Sequence, residues 1–328
     1  LKQLRIGVIG AGHMGRLHAE KIAALRDEGS GVEVGGIVDI VRGRAEELAS
    51  KVGSTAHVDR RALWSGEDPD SSFPVARVDA VIVAVPTVSH YEVVCDVLEA
   101  GLDVLVEKPI AANLREAEKL IALAEGGERV LQVGHLEWFN SALDGIAGRI
   151  RAPRFVEAHR MGPFSDRATD TDIVRDLMIH DLDILQQILG EEPERIEAVG
   201  IPVLSPNLDI ANARLVFPSG CVANLTASRV SNAPQRKLRF FQRDGCVAID
   251  FLAQSATVFR RVREPGEPPQ IRVEEVAVER GDALLSQLRD FIRAVRTRER
   301  PKVDGVGGLD ALRTAVRVVE AMTPPPEA

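Results

Sequence analysis

The chain begins with two alternating hydrophobic periods. Residues 6–9 form a short β-branched run, and residues 32–38, 78–85, 103–107 and 129–133 are further apolar runs of strand length. The run at 78–85 is almost continuously apolar, as suits a strand buried on both faces of a parallel sheet. Helical patterns separate these runs. One follows the first run, with Leu17, Ile22 and Leu25 on one side, and others cover residues 44–52, 89–100 and 114–124. Strands alternating with helices predict an α/β doubly wound parallel sheet over residues 1–130. Residues 65–77 are polar, contain proline and read as a loop.

The pattern changes after residue 130. Residues 154–159, 194–203, 210–217, 221–229, 237–242, 246–251, 256–262 and 271–278 read as strands, several joined by hairpin signals such as Pro218-Ser219-Gly220 and Asp244-Gly245. One helical pattern at 173–189 interrupts them, and two more at 282–297 and 309–322 close the chain. This predicts a C-terminal α+β domain, residues 131–328, built on an open, mostly antiparallel sheet, with a C-terminal helix available to pack back on the first domain. A length of 328 residues also favours two domains.

Composition narrows the function. A net charge of −8 speaks against a general nucleic-acid binder. Cys95, Cys221 and Cys246 are far apart and form neither a CxxC pair nor a disulfide framework, and no metal site is expected. No apolar run reaches membrane-span length and no signal-peptide pattern is present, so a cytoplasmic location without membrane contact is expected.

The first chemistry sits where the first strand ends. Gly10-Ala11-Gly12-His13-Met14-Gly15 follows a strand and opens a helix, the context in which GxGxxG binds a dinucleotide. Gly10 permits the tight turn, Gly12 removes a side chain that would block a pyrophosphate, and Gly15 lets helix and strand pack closely. The helix N-terminus offers N–H groups and partial positive charge to the phosphates. The second strand ends in Asp39, whose carboxylate can accept both ribose hydroxyls and would repel a 2′-phosphate. NAD is therefore the expected cofactor, with NADP less favoured although Arg42 and Arg44 lie just beyond.

Three further constellations stand out. Glu107-Lys108-Pro109 ends a strand, where ligands of open α/β sheets bind. Position alone fits a surface lysine in a βα turn equally well. The Lys108–Pro109 peptide is expected to be cis. Asp176 and His180 are spaced i, i+4 on an otherwise apolar helix, so they share a face. A carboxylate beside an imidazole fixes its tautomer and raises its basicity, which suits a general base; the alternative is a surface ion pair. Arg149, Arg151, Arg154, Arg160, Arg167 and Arg175 crowd one stretch of an acidic chain. Ordinary surface charge accounts for some of them. Arg160 and Arg167 bracket a loop leading into the His180 helix and are the candidates for gripping an anionic substrate.

Together these residues resemble the glucose–fructose oxidoreductase/inositol dehydrogenase/rhizopine-catabolism (Gfo/Idh/MocA) family. The matching elements are the Gly10–Gly15 turn, Asp39, Val83-Ala84-Val85-Pro86-Thr87 with His90, Glu107-Lys108-Pro109, Val133-Gly134-His135, and Asp176 with His180-Asp181. The resemblance covers essentially the whole chain. It implies a Rossmann domain followed by an open-sheet domain, with the active site between them. It also implies cofactor contacts at His13, Met14, Pro86, Thr87, His90, Glu107 and Lys108, and catalysis by Lys108, Asp176 and His180. A narrower resemblance runs through residues 157–164, 176–183, 210–214 and 223–229. It points to a bacterial subgroup that oxidises UDP-N-acetylglucosamine at C3. That subgroup carries Arg where this chain has Trp138, next to Asn140, a further candidate substrate contact.

The resemblance thus implies an NAD-dependent dehydrogenase of a UDP-linked N-acetylamino sugar. His180, oriented by Asp176, would take the hydroxyl proton while Lys108 stabilises the oxygen. Two alternatives are a dehydrogenase of free polyols such as inositol, against which the arginines argue, and a non-catalytic NAD- or sugar-sensing regulator, against which intact Lys108, Asp176 and His180 argue. A homodimer or homotetramer is expected through the open sheet face, where Asn224, Thr226 and Ser228 alternate.

Overall fold

Six parallel strands organise the N-terminal half. In chain order the elements are β1 (Leu4–Ile9), α1 (His13–Asp27), β2 (Val32–Val38), α2 (Arg42–Val52), β3 (Ala56–His57), α3 (Ala62–Ser65), β4 (Ala80–Val83), α4 (His90–Glu99), β5 (Asp103–Val106), α5 (Leu114–Gly126) and β6 (Leu131–Val133). The strands lie in the order β3-β2-β1-β4-β5-β6 with every neighbour parallel. The order reverses between β1 and β4, the point where such sheets open a crevice at their carboxyl ends. β4 covers only the middle of its apolar run, Ala80–Val83. The computed structural model describes residues 3–67, 76–164 and 171–322.

The second half contains α6 (Ser141–Asp144), β7 (Phe155–Met161), α7 (Ile179–Leu189), β8 (Arg195–Ile201), β9 (Ile210–Val216), β10 (Val222–Ser228), β11 (Gln235–Gln242), β12 (Gly245–Asp250), β13 (Ser255–Val262) and β14 (Gln270–Val276). Its eight-stranded sheet runs β14-β13-β12-β11-β7-β10-β9-β8. All neighbours are antiparallel except β7 and β10, which are parallel. Val156, Ala158, Leu215, Leu225, Leu238, Phe240 and Val247 alternate onto one buried face. The parallel N-terminal sheet and the mostly antiparallel C-terminal sheet are those the hydrophobic periods predict.

The chain closes with α8 (Ala283–Thr297) and α9 (Gly305–Glu320). Two compact units result: residues 1–135 with 284–309, and residues 136–283 with 310–328. α8 belongs to the first unit, where Leu288, Phe291 and Val295 join Ile6, Ile22, Leu25 and Ile37 in one core. Arg298, just after α8, binds both oxygens of Asp103 at the start of β5, at 2.5 and 3.0 Å.

Candidate active site

In the first unit the glycine turn shows three separate constraints. Gly10 has φ of +99°, and a Cβ there would overlap the Ala84 carbonyl of the neighbouring strand end. A Cβ on Gly15 would overlap the Gly10 carbonyl, so helix and strand touch at that point. Gly12 differs: a Cβ there meets nothing within 4 Å. Among the described residues nothing requires a glycine at that position, and the bare edge fits a group laid over the turn from outside. Among the described residues no side chain caps this end of α1, unlike α5, where Asn113 accepts the Glu116 N–H at 3.0 Å. The residues present therefore suit a dinucleotide, with α1 receiving its phosphates. His13 is exposed and Met14 half-buried at that end.

Asp39 follows β2 and is fixed at both oxygens. One accepts the Ala11 N–H of the glycine turn at 2.8 Å and the other the Val41 N–H at 2.8 Å. Each oxygen retains a lone pair for a ribose hydroxyl. Ile40, next to this acid, is 90% exposed, and Val88, after β4, is 79% exposed. Pro86 is exposed and leads into a short 3₁₀ turn, Thr87–Ser89.

Glu107-Lys108-Pro109 leaves the end of β5, and the Lys108–Pro109 peptide is cis as expected. The Glu107 carboxylate accepts His18 Nε2 at 2.8 Å. His18 is fully buried on α1 with Gly15, Ile22 and Leu25. That stripe, rather than one containing Leu17, is the core face of the helix. His90 was expected at the cofactor, but its ring is 1% exposed, and both nitrogens face backbone carbonyls, Pro109 O at 2.8 Å and Val85 O at 3.0 Å. It ties the loops after β4 and β5 together, and burial, opposed by the two carbonyls, pushes its pKa below the ordinary value. His135, after β6, is also buried. Burial and then the nearby Lys108 charge push its pKa down to about 3.

In the second unit, Asp172 opens the helix of the expected dyad. One of its oxygens accepts the N–H groups of Val174 and Arg175, both at 2.9 Å, and the other binds Arg175 Nη1 at 2.6 Å. A single π-helical turn, Val174–Met178, comes next and runs directly into α7. Asp176 lies in this wide turn and His180 in the first turn of α7. Both are half-buried, whereas Met178 and Ile179 between them are buried. Isolated π turns are frequent at functional sites. At the entry to this helix, Arg229 donates to Thr171 O at 2.8 Å and pairs with the buried Asp209.

Two expected substrate contacts are otherwise employed. Arg160 is 2% exposed, with Nε and Nη2 on the two oxygens of Asp181 at 3.0 and 2.8 Å and Nη1 on Glu137 at 2.6 Å. Its charge is spent on two buried carboxylates, so it is not an anion clamp. Asn140 caps α6, accepting the Ala142 N–H at 3.1 Å and donating to Phe251 O at 3.2 Å. Arg167 lies outside the described residues. Sequence reasoning missed His18, whose spacing from Ile22 and Leu25 marks it as a core position, and it missed the carboxylate partners of Arg160.

Comparison with known proteins agrees with this arrangement. Residues 4–135 match the oxidoreductase family model with the NAD-binding Rossmann fold, and residues 143–248 match the GFO/IDH/MocA C-terminal domain. The chain is 36% identical over 319 residues to UDP-N-acetylglucosamine 3-dehydrogenase of Acidithiobacillus ferrooxidans, covering 96% of each chain. A solved structure of that enzyme superposes with a TM-score of 0.88 at 35% identity, covering 98% of each chain. Myo-inositol 2-dehydrogenase of Thermotoga maritima is 28% identical, covering 94% of this chain and 93% of its own. With both domain models matched in order and a full-length relative above 30% identity, the chain belongs to the Gfo/Idh/MocA family of nicotinamide-dependent dehydrogenases.

Proposed function

We propose that this dehydrogenase uses NAD to oxidise the C3 hydroxyl of a UDP-linked N-acetylamino sugar. The observation that carries the reading is the 36% identity, over 96% of both chains, to an enzyme of that name. The preference for NAD rests on Asp39, whose carboxylate is held in place by two backbone N–H groups and would repel a 2′-phosphate. Gly10, Gly12, Gly15, Asp39 and the α1 N-terminus would hold the cofactor, with Ile40 and Val88 offering it apolar surface. When bound, the nicotinamide ring supplies the hydride acceptor.

The chain's own residues then supply proton handling and charge stabilisation. His180 accepts the proton of the reacting hydroxyl, and Asp176, on the same face, keeps the ring oriented and balances the imidazolium. Lys108 donates to the reacting oxygen and stabilises its developing negative charge. His135, whose pKa burial and the Lys108 charge push down to about 3, is a poor proton acceptor. Replacing His180 with Ala is expected to lower kcat by ~10²–10⁴-fold.

A dehydrogenase of neutral polyols is the second reading. The internal pairing of Arg160 favours it, because one of the two proposed anion contacts is gone. An NADH-absorbance assay with UDP-N-acetylglucosamine, myo-inositol and glucose separates the readings. Turnover of the nucleotide sugar supports the first, turnover of only the free polyols the second, and binding without turnover a regulator. We also propose that a second copy covers the open sheet face. There Val216, Val222, Phe155, Phe241, Phe259 and Val273 form an apolar row across strands β9 to β14. Light scattering after size exclusion should give at least twice the monomer mass.

A further inference from the structure

Three buried histidines surround the Glu107-Lys108-Pro109 loop of the first unit: His18, His90 and His135. His90 holds the carbonyl of Pro109, on one side of Lys108. The other side is held differently. The Glu107 N–H donates to Val83 O at 3.0 Å, and the Val106 carbonyl accepts Gly134 N–H at 2.8 Å, so the backbone here is stitched to both neighbouring strand ends. The side chain is equally confined. Its Oε1 accepts His18 Nε2, and its Oε2 lies over Gly134, where a Cβ would stand 2.8 Å away. The Glu107 carboxylate therefore fills space that only a glycine at 134 leaves open. Among the described residues, His18 Nδ1 is buried with no hydrogen-bond partner, so the ring serves this single bond.

We propose that His18 and Glu107 are a positioning pair that fixes Lys108 and couples it to the phosphate-facing helix α1. The proposal rests on the reading that Lys108 takes part in turnover. His18 is one turn inside α1 from Gly15. Whatever holds the N-terminus of α1 also holds His18, hence Glu107, hence the residue that follows it. With Glu107 anchored on one flank and Pro109 on the other, the Lys108 backbone has a single position. Loosening one anchor displaces the ammonium group without removing it, and small displacements of a catalytic group are costly.

The test is a double-mutant cycle between His18→Leu and Lys108→Ala, with His18→Gln and Gly134→Ala as companions, assayed with NAD and UDP-N-acetylglucosamine. The NAD dissociation constant and the melting temperature are measured alongside kcat. His18→Leu should lower kcat by about 10- to 100-fold with the NAD dissociation constant within about threefold of wild type. His18→Gln, whose amide N–H reaches the place of Nε2, should recover most of the loss. Gly134→Ala, which pushes on the carboxylate from the other side, should reproduce it. In the Lys108→Ala background His18→Leu should cost nothing more. A full, independent loss in that background overturns the proposal, as does failure of the Gln variant to recover activity while remaining folded. If Lys108→Ala alone keeps wild-type kcat, the functional reading of Lys108 fails first and takes the proposal with it. A readout free of turnover is the acylation rate of Lys108 by an amine reagent, read by mass spectrometry. It should change severalfold in His18→Leu while that of Lys237 does not; equal rates at Lys108 would contradict the coupling. Should His18→Leu not fold, Gly134→Ala and His18→Gln carry the same comparison.

Discussion

Asp183 offers a quantitative test of how α7 is held in its unit. It is 2% exposed, and its Oδ1 accepts Gln187 Nε2 at 2.6 Å, one turn along the helix. Burial pushes its pKa from 3.8 up to about 7, although hydrogen bonds from Gln187 and Trp138 pull it down. A carboxyl that holds its proton more tightly when folded contributes most to stability below its unfolded pKa. That contribution declines as pH rises from about 4 and levels off above about 7. Three pKa units correspond to ~4 kcal/mol in all, of which ~2.5 kcal/mol falls between pH 5 and 8. Asp183→Asn keeps the oxygen that Gln187 needs and removes the titration. The assay is urea unfolding of both proteins at several pH values in a Trp64→Phe background. The chain has two tryptophans, so Trp138, a hydrogen-bond partner of Asp183, becomes the sole reporter of the second unit. Relative to the parent, the variant should gain stability from pH 5 to about 7 and little more by pH 8. Parallel stability curves would show instead that Asp183 titrates as an ordinary carboxylate.

Other outcomes follow from the geometry. Gly12→Ala should leave the melting temperature unchanged and weaken NAD binding, because its Cβ meets only open space. Gly10→Ala should lower stability by ~1–3 kcal/mol, since φ there is +99°; thermal melts and NAD titrations of the two variants check both statements. Arg160→Leu strands two buried carboxylates and should cost ~3–5 kcal/mol in denaturant unfolding, whereas an anion clamp would instead raise KM at unchanged stability. Asp39→Ala removes acceptors of charge-assisted strength, ~1.5–3 kcal/mol, so the ratio of kcat/KM for NADP over NAD should rise at least about tenfold. A wild-type protein that already prefers NADP would undo that assignment.

What could be read from the sequence was short in range. The glycine turn and Asp39 sit within one βαβ unit, and their spacing alone marks them as candidates. The strand and helix periods were long enough to separate a parallel sheet from an antiparallel one. Elements of two to four residues, such as β3, α3 and α6, carry no period and went unread. The π turn at Asp176 was also invisible, because an apolar helix pattern does not register one wider turn. Pairings across the chain were the larger gap. His18 meets a carboxylate 89 residues away, and Arg160 meets one 21 residues away on α7. An arginine in an acidic chain reads as a ligand contact until its buried partners are known. Asn140, followed by Ser141 and Ala142, carries a helix-capping signal, and a capping asparagine and a substrate-binding one look alike in sequence.

In the proposed reaction, hydride leaves C3 of a UDP-linked amino sugar for the nicotinamide. UDP-N-acetylglucosamine deuterated only at C3, incubated with NAD, tests it most directly. Mass spectrometry of the reduced cofactor should show one deuterium per molecule, formed more slowly than from unlabelled sugar. Reduced cofactor without deuterium, or no reduction with this sugar while myo-inositol is oxidised, would contradict it.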